Sequence, residues 1–292
     1  MMKGSIVAIV TPFKNDRIDE KALRKLIEFQ IKNGTDGIVP CGTTGESATL
    51  SYEEHERVIE LTIEVVNKRI PVIAGTGSNS TREAIELTKH AEKAGADAAL
   101  LITPYYNKPT QEGLFQHFKA VSEEVSVPLI VYNVPSRTGV NMLPETVARL
   151  AELKNIRGIK EATGDLKQVS QVIKLCRNDF VVLSGDDFVT LPMLAVGAKG
   201  VISVTANIIP SDVAQMIDAF FAGDYKKAEE LHFKMWDINV SMFLETNPIP
   251  VKTALAMMNM ISPEMRLPLT PMSDANLKKL RNALINYKLI KE

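Results

Sequence analysis

The sequence predicts a (β/α)₈ barrel, a TIM-type barrel, followed by a C-terminal helical region. Eight short apolar runs recur along the chain. They are continuously apolar rather than alternating, as strands covered on both faces are. Amphipathic stretches of helical period separate them, giving a repeat of about 25 to 35 residues, the size of a strand–helix step. Eight such steps in about 225 residues fit a closed barrel. A doubly wound open sheet would usually carry a Gly-rich turn after its first strand. Here that strand ends Val10-Thr11-Pro12-Phe13, without glycine.

The expected strands are Ser5–Val10, Gly37–Cys41, Pro71–Ala74, Ala98–Thr103, Pro128–Asn133, Ile156–Glu161, Phe180–Ser184 and Gly200–Val204. Expected helices between the early strands include Asp19–Asn33, Tyr52–Asn67, Thr81–Ala94 and Gln111–Val125. Ser51-x-x-Glu54 and Ser80-x-x-Glu83 read as capping boxes. Gly34 and Gly95 follow helices, where a left-handed cap favours glycine. After Phe221 the pattern is helical only, over Lys226–Leu244, Pro250–Met260 and Asp274–Tyr287. The expected division is a catalytic barrel over 1–225 and a helical region over 226–292.

The 292 residues are 45% hydrophobic and 24% charged, an ordinary globular composition. A chain of this length buries roughly three quarters of its unfolded surface. A net charge of −1 and the lack of a basic block argue against nucleic acid as a partner. Cys41 and Cys176 are too far apart in sequence for a disulfide framework or metal-ligand spacing. The four histidines, His55, His90, His117 and His232, are isolated on helical stretches, so no metal site is expected. The apolar stretch Ile6–Val10 is too short for a signal peptide, and no run has membrane-spanning length. A cytoplasmic location is expected, with no membrane partner.

In such a barrel the chemistry gathers at the C-terminal ends of the strands. Lys160 lies inside the apolar run Ile156–Ala162. Desolvation there disfavours the ammonium and yields a free amine able to attack a carbonyl. The alternatives are a lysine that extends its ammonium to water or one paired with Glu161. Strand alternation places Gly158 and Ala162 on the face of Lys160, leaving room for a substrate, with Ile159 and Glu161 on the other. Tyr132 shares its face with Ile130 on the preceding strand. An amine beside a phenol suits Schiff-base chemistry, the phenol moving the protons that carbinolamine formation and dehydration require. Gly42-Thr43-Thr44-Gly45 either presents donors to an anion or is a plain strand–helix turn. Arg137 either grips a carboxylate with its planar fork or is a solvated surface residue.

These residues resemble the dihydrodipicolinate synthase (4-hydroxy-tetrahydrodipicolinate synthase) family of pyruvate-dependent Schiff-base class I aldolases. The resemblance runs along essentially the whole chain. It is specific at Gly42-Thr43-Thr44-Gly45-Glu46, Thr103–Pro109, Tyr132–Gly139, Gly158–Glu161 and Asn247–Lys252. It implies that Lys160 forms an imine with pyruvate and that the enamine attacks L-aspartate 4-semialdehyde, in lysine and diaminopimelate biosynthesis. It implies a proton relay of Thr43, Tyr132 and Tyr106, the last from a neighbouring subunit. Thr44 and the backbone at Gly185 and Ile202 would seat pyruvate, and Arg137 would hold the aldehyde's carboxylate. No cofactor is implied. A homo-oligomer is, expected as a tetramer built as a dimer of dimers. L-lysine is an implied effector, at Ser47, Ala48, His55, Asn79, Glu83 and Tyr105. Tyr52 departs from the histidine of some related bacterial enzymes. Sialic acid (N-acetylneuraminate) lyases and keto-sugar-acid aldolases share much of this pattern but generally lack the arginine. A non-catalytic ligand-binding barrel is the alternative outside the enzyme class.

Overall fold

The computed structural model describes residues 2–291. Eight parallel strands form one sheet: β1 (Gly4–Ala8), β2 (Gly37–Val39), β3 (Ile73–Gly75), β4 (Ala98–Ile102), β5 (Leu129–Asn133), β6 (Ile156–Glu161), β7 (Val181–Ser184) and β8 (Gly200–Ser203). They run in the order β2-β1-β8-β7-β6-β5-β4-β3. A parallel bridge between Ile38 and Val72 joins β2 to β3 and closes the barrel. All eight predicted strands are present, each a residue or more from its predicted bounds except β6, which matches. An additional antiparallel hairpin, Phe13–Lys14 with Arg17–Ile18, follows β1.

The apolar side chains divide by strand parity into two cores. Ile6, Val39, Ile73, Leu100, Ile130, Tyr132, Leu183 and Ile202 fill the barrel. Val7, Ile38, Leu101, Val131 and Ile159 face the helices. This matches the assignment of Tyr132 to the inner face and of Ile159 to the outer.

Helices α1 (Glu20–Lys32), α2 (Tyr52–Val66), α3 (Thr81–Ala94) and α4 (Gln111–Glu124) lie where the periodicity places them. Ser51 and Glu54 form a complete capping box on α2. Ser80 forms only half of one. Its hydroxyl accepts from the Glu83 N–H, but the Glu83 carboxylate accepts from Ser78 Oγ at 2.7 Å, and Ser78 takes the Ser80 N–H. Gly34 and Gly95 have φ of +83° and +95°, the left-handed caps predicted.

The barrel continues with α5 (Pro144–Ala151), α6 (Leu166–Leu175), α7 (Thr190–Ala195) and α8 (Pro210–Phe221). Beyond it lie α9 (Tyr225–Lys234), α10 (Trp236–Ser241), α11 (Ile249–Met257) and α12 (Asp274–Asn286). The single helix expected over Lys226–Leu244 is thus two, divided at Met235. Trp236, the first residue of α10, packs edge-on against Phe188 from the loop after β7. Among the described residues, no helix is long and apolar enough to cross a membrane.

Candidate active site

The C-terminal ends of the strands open into a cleft of about 850 Å³. Lys160 projects into it from β6, 6% exposed. It is the register partner of Tyr132 on β5, and its Nζ stands 4.3 Å from the centroid of the Tyr132 ring. Burial lowers the Lys160 pKa to about 8, against a partial opposing pull from Asp187. A free amine is therefore accessible near neutrality. Burial raises the Tyr132 phenol to about 12, with Arg137 and the Thr43 hydroxyl acting in the other direction.

Glycines make the room. A Cβ on Gly185 would lie 2.6 Å from Ala162 Cβ and 3.0 Å from Lys160 Cε. A Cβ on Gly75 would lie 2.3 Å from the Cys41 carbonyl oxygen, so glycine there lets the loop after β2 cross the end of β3. That loop holds Gly42-Thr43-Thr44-Gly45 in a tight turn, with the Gly45 and Ser47 N–H groups on the Gly42 carbonyl. Thr44 is buried, and its hydroxyl accepts from Asn247 Nδ2 at 3.1 Å. Arg137, in the one-turn helix Pro135–Thr138, donates from Nη2 to the Asn247 carbonyl at 3.1 Å. Asn247 thus joins the threonine loop to the arginine. Its Oδ1 is buried without a partner.

Glu161 does not neutralise Lys160. It lies on the outer face of β6, bonded to Asn133 Nδ2, the Thr163 N–H and Gln168 Nε2. Lys252 entered the sequence reading only within the matched segment Asn247–Lys252, with no expectation that it is buried. Lys252 on α11 is fully buried, but it forms an ion pair with Glu46 and stacks over the Phe13 ring. Among the described residues, no carboxylate is bonded to Lys160.

The cleft wall therefore brings together Lys160, Tyr132, Thr43, Thr44, Arg137 and Gly185. The same continuous wall includes Ser47, Ala48, His55, Glu83 and Tyr105. Burial lowers the His55 pKa to about 4. Asn79 joins this end through a 3.2 Å bond from Nδ2 to the Tyr105 carbonyl. Ile202 sits inside the barrel in the apolar cluster of Tyr132. Tyr106 is not brought in. It is 90% exposed, with φ of +68°. Sequence reasoning named Glu46, Asn247 and Lys252 within matched segments but gave them no role, and it missed Asp187. The adjacent aspartates after β7, at a strand end, were the available signal for the last. Among the described residues, no three His, Cys, Asp or Glu side chains are grouped to hold a metal.

The family model of the "Dihydrodipicolinate synthetase family" matches residues 1–286. A 4-hydroxy-tetrahydrodipicolinate synthase of Geotalea daltonii is 66% identical over 290 residues, covering 99% of this chain and all of that one. The structure of the chloride-inhibited dihydrodipicolinate synthase of Acinetobacter baumannii complexed with pyruvate is 53% identical, with a TM-score of 0.97 over 99% of this chain and 100% of that one. The enzyme of Cyanidioschyzon merolae with lysine bound is 40% identical, with a TM-score of 0.95 over 99% of each chain.

Proposed function

This chain belongs to the dihydrodipicolinate synthetase family and has its activity, 4-hydroxy-tetrahydrodipicolinate synthesis; we propose that it condenses pyruvate, held as a Schiff base on Lys160, with L-aspartate 4-semialdehyde. The Lys160 amine adds to the pyruvate ketone carbon, and the carbinolamine loses water to give an iminium. Loss of a methyl proton gives the enamine, whose carbon attacks the aldehyde. The amine of the second substrate then attacks the iminium carbon, closes the ring and releases Lys160. Tyr132 and Thr43 carry protons in these steps. Thr44 and the backbone at Gly185 and Ile202 seat pyruvate, and Arg137 binds the carboxylate of the aldehyde substrate.

The observation that carries this reading is Lys160 itself. It is buried at the cleft floor beside a phenol, with its pKa lowered, while the other buried lysine is paired with a carboxylate. Steady-state assay of pyruvate with aspartate semialdehyde, against N-acetylneuraminate and keto-sugar acids, tests it. In Arg137→Ala the Michaelis constant for aspartate semialdehyde should rise by about one to three orders of magnitude. Imine formation with pyruvate should change little.

The same proposal covers assembly and regulation. The exposed Tyr106 fits a role across a tight two-fold dimer interface, with two dimers forming a tetramer. A fully active monomer in analytical ultracentrifugation would contradict this. Ser47, Ala48, His55, Asn79, Glu83 and Tyr105 are proposed to bind L-lysine as a partial inhibitor; lysine is bound in the Cyanidioschyzon merolae relative. Inhibition by L- but not D-lysine, abolished in Glu83→Ala, is the expected result. The barrel over 1–225 is taken as catalytic, and the helical region over 226–292 contributes Asn247, Pro268 and Leu269 to the cleft wall.

A further inference from the structure

Strands β7 and β8 share one register pair, Val201 with Ser184, whereas β6 and β7 share four. Past Ser184 the chain leans back toward β6, where the Gly185 N–H donates to the Glu161 carbonyl at 2.8 Å. The barrel lip between Gly185 and the end of β8 therefore has no backbone ladder. Asp187 fills the gap. It is 7% exposed, and its carboxylate accepts from Ser203 Oγ at 2.5 Å, the Val204 N–H at 3.0 Å and the Thr205 N–H at 3.2 Å. Ser203 Oγ in turn accepts from the Ala206 N–H at 2.8 Å. One buried carboxylate thus ties the turn after β7 to the turn after β8.

We propose that Asp187 is a positioning residue that holds the backbone at Gly185 and Ile202 in register to grip the pyruvate carboxylate. This rests on the Schiff-base reading of Lys160. Removing the carboxylate therefore frees the turn after β8 from the turn after β7 and weakens the pyruvate grip.

The test is borohydride trapping of the pyruvate adduct against pyruvate concentration on full-length Asp187→Asn and Ser203→Ala, with steady-state kinetics for aspartate semialdehyde. In Asp187→Asn the half-saturating pyruvate concentration should rise about tenfold or more. The Michaelis constant for aspartate semialdehyde should be unchanged. Ser203→Ala removes one of the three donors to the carboxylate, so it should show a smaller rise for pyruvate alone. An unmoved half-saturating pyruvate concentration in Asp187→Asn, or an equal rise for both substrates, overturns the inference. If Asp187→Asn does not fold, unchanged pyruvate saturation in Ser203→Ala overturns it. A wild-type chain that traps no pyruvate overturns the Schiff-base reading and this inference together. Normal wild-type trapping with unaltered variants overturns this inference alone.

Discussion

Tyr132 and Lys160 are register partners on adjacent parallel strands, and the amine stands 4.3 Å from the centre of the phenol ring. Burial moves the two groups in opposite directions, the amine down to about 8 and the phenol up to about 12. Near neutrality the phenol keeps its proton while a fraction of the amine is free. Tyr132→Phe keeps the ring and removes the hydroxyl. Turnover should fall about 10²–10⁴-fold, the usual contribution of a positioned acid or base. The Michaelis constant for pyruvate should change little. Unaltered turnover in steady-state kinetics would remove Tyr132 from the proton path.

Gly185→Ala places a methyl group 3.0 Å from Lys160 Cε and 2.6 Å from Ala162 Cβ. Overpacking of this kind costs about 1–3 kcal/mol. Because the displaced atom belongs to the side chain proposed to form the imine, borohydride trapping should slow more than tenfold (~1.4 kcal/mol). Stopped trapping time courses, read beside thermal melts, separate the two effects. Wild-type trapping by Gly185→Ala would show that Lys160 tolerates the methyl.

Glu46 and Lys252 are both fully enclosed, so neither charge has water to fall back on. Glu46→Gln leaves the ammonium uncompensated and should destabilise the chain by about 3–5 kcal/mol. Adding Lys252→Met should restore most of that loss. Urea midpoints of the single and double variants check it; a double variant as unstable as the single would mean that the pair is not the cause.

Acidification should weaken the fold in a defined window. Burial lowers both His55 and His117 from 6.5 to about 4. Between these values the unfolded chain takes up protons that the folded chain refuses. Stability therefore falls as pH falls from 6.5 toward 4, and below that the two contributions level off. Each is at most about 3.4 kcal/mol. His117→Gln should flatten part of the fall in melting temperature across this window, and an equally steep fall would contradict the assignment.

The barrel was legible because strands buried on both sides write unbroken apolar runs, and strand parity alone placed Lys160, Gly158 and Tyr132 on one face. What was not legible depends on partners distant in sequence. Asn247 reaches Thr44 across 203 residues, and Lys252 meets Glu46 across 206. No local period encodes such pairings. The half-formed cap at Ser80 was misread because Ser78, two residues earlier, takes both the Glu83 carboxylate and the Ser80 N–H. The division at Met235 was hidden because the apolar pattern continues through it. Tyr106 is 90% exposed on its own chain, so the role proposed for it rests on family resemblance alone.

The most direct test of the central claim is peptide mapping after borohydride reduction in the presence of pyruvate, followed across pH. The account predicts a stable adduct on the peptide containing Lys160, with a trapping rate that rises as pH increases through about 8. It predicts none on Lys252 and none in Lys160→Ala. An adduct on another lysine, or no adduct in an active wild-type chain, would contradict it.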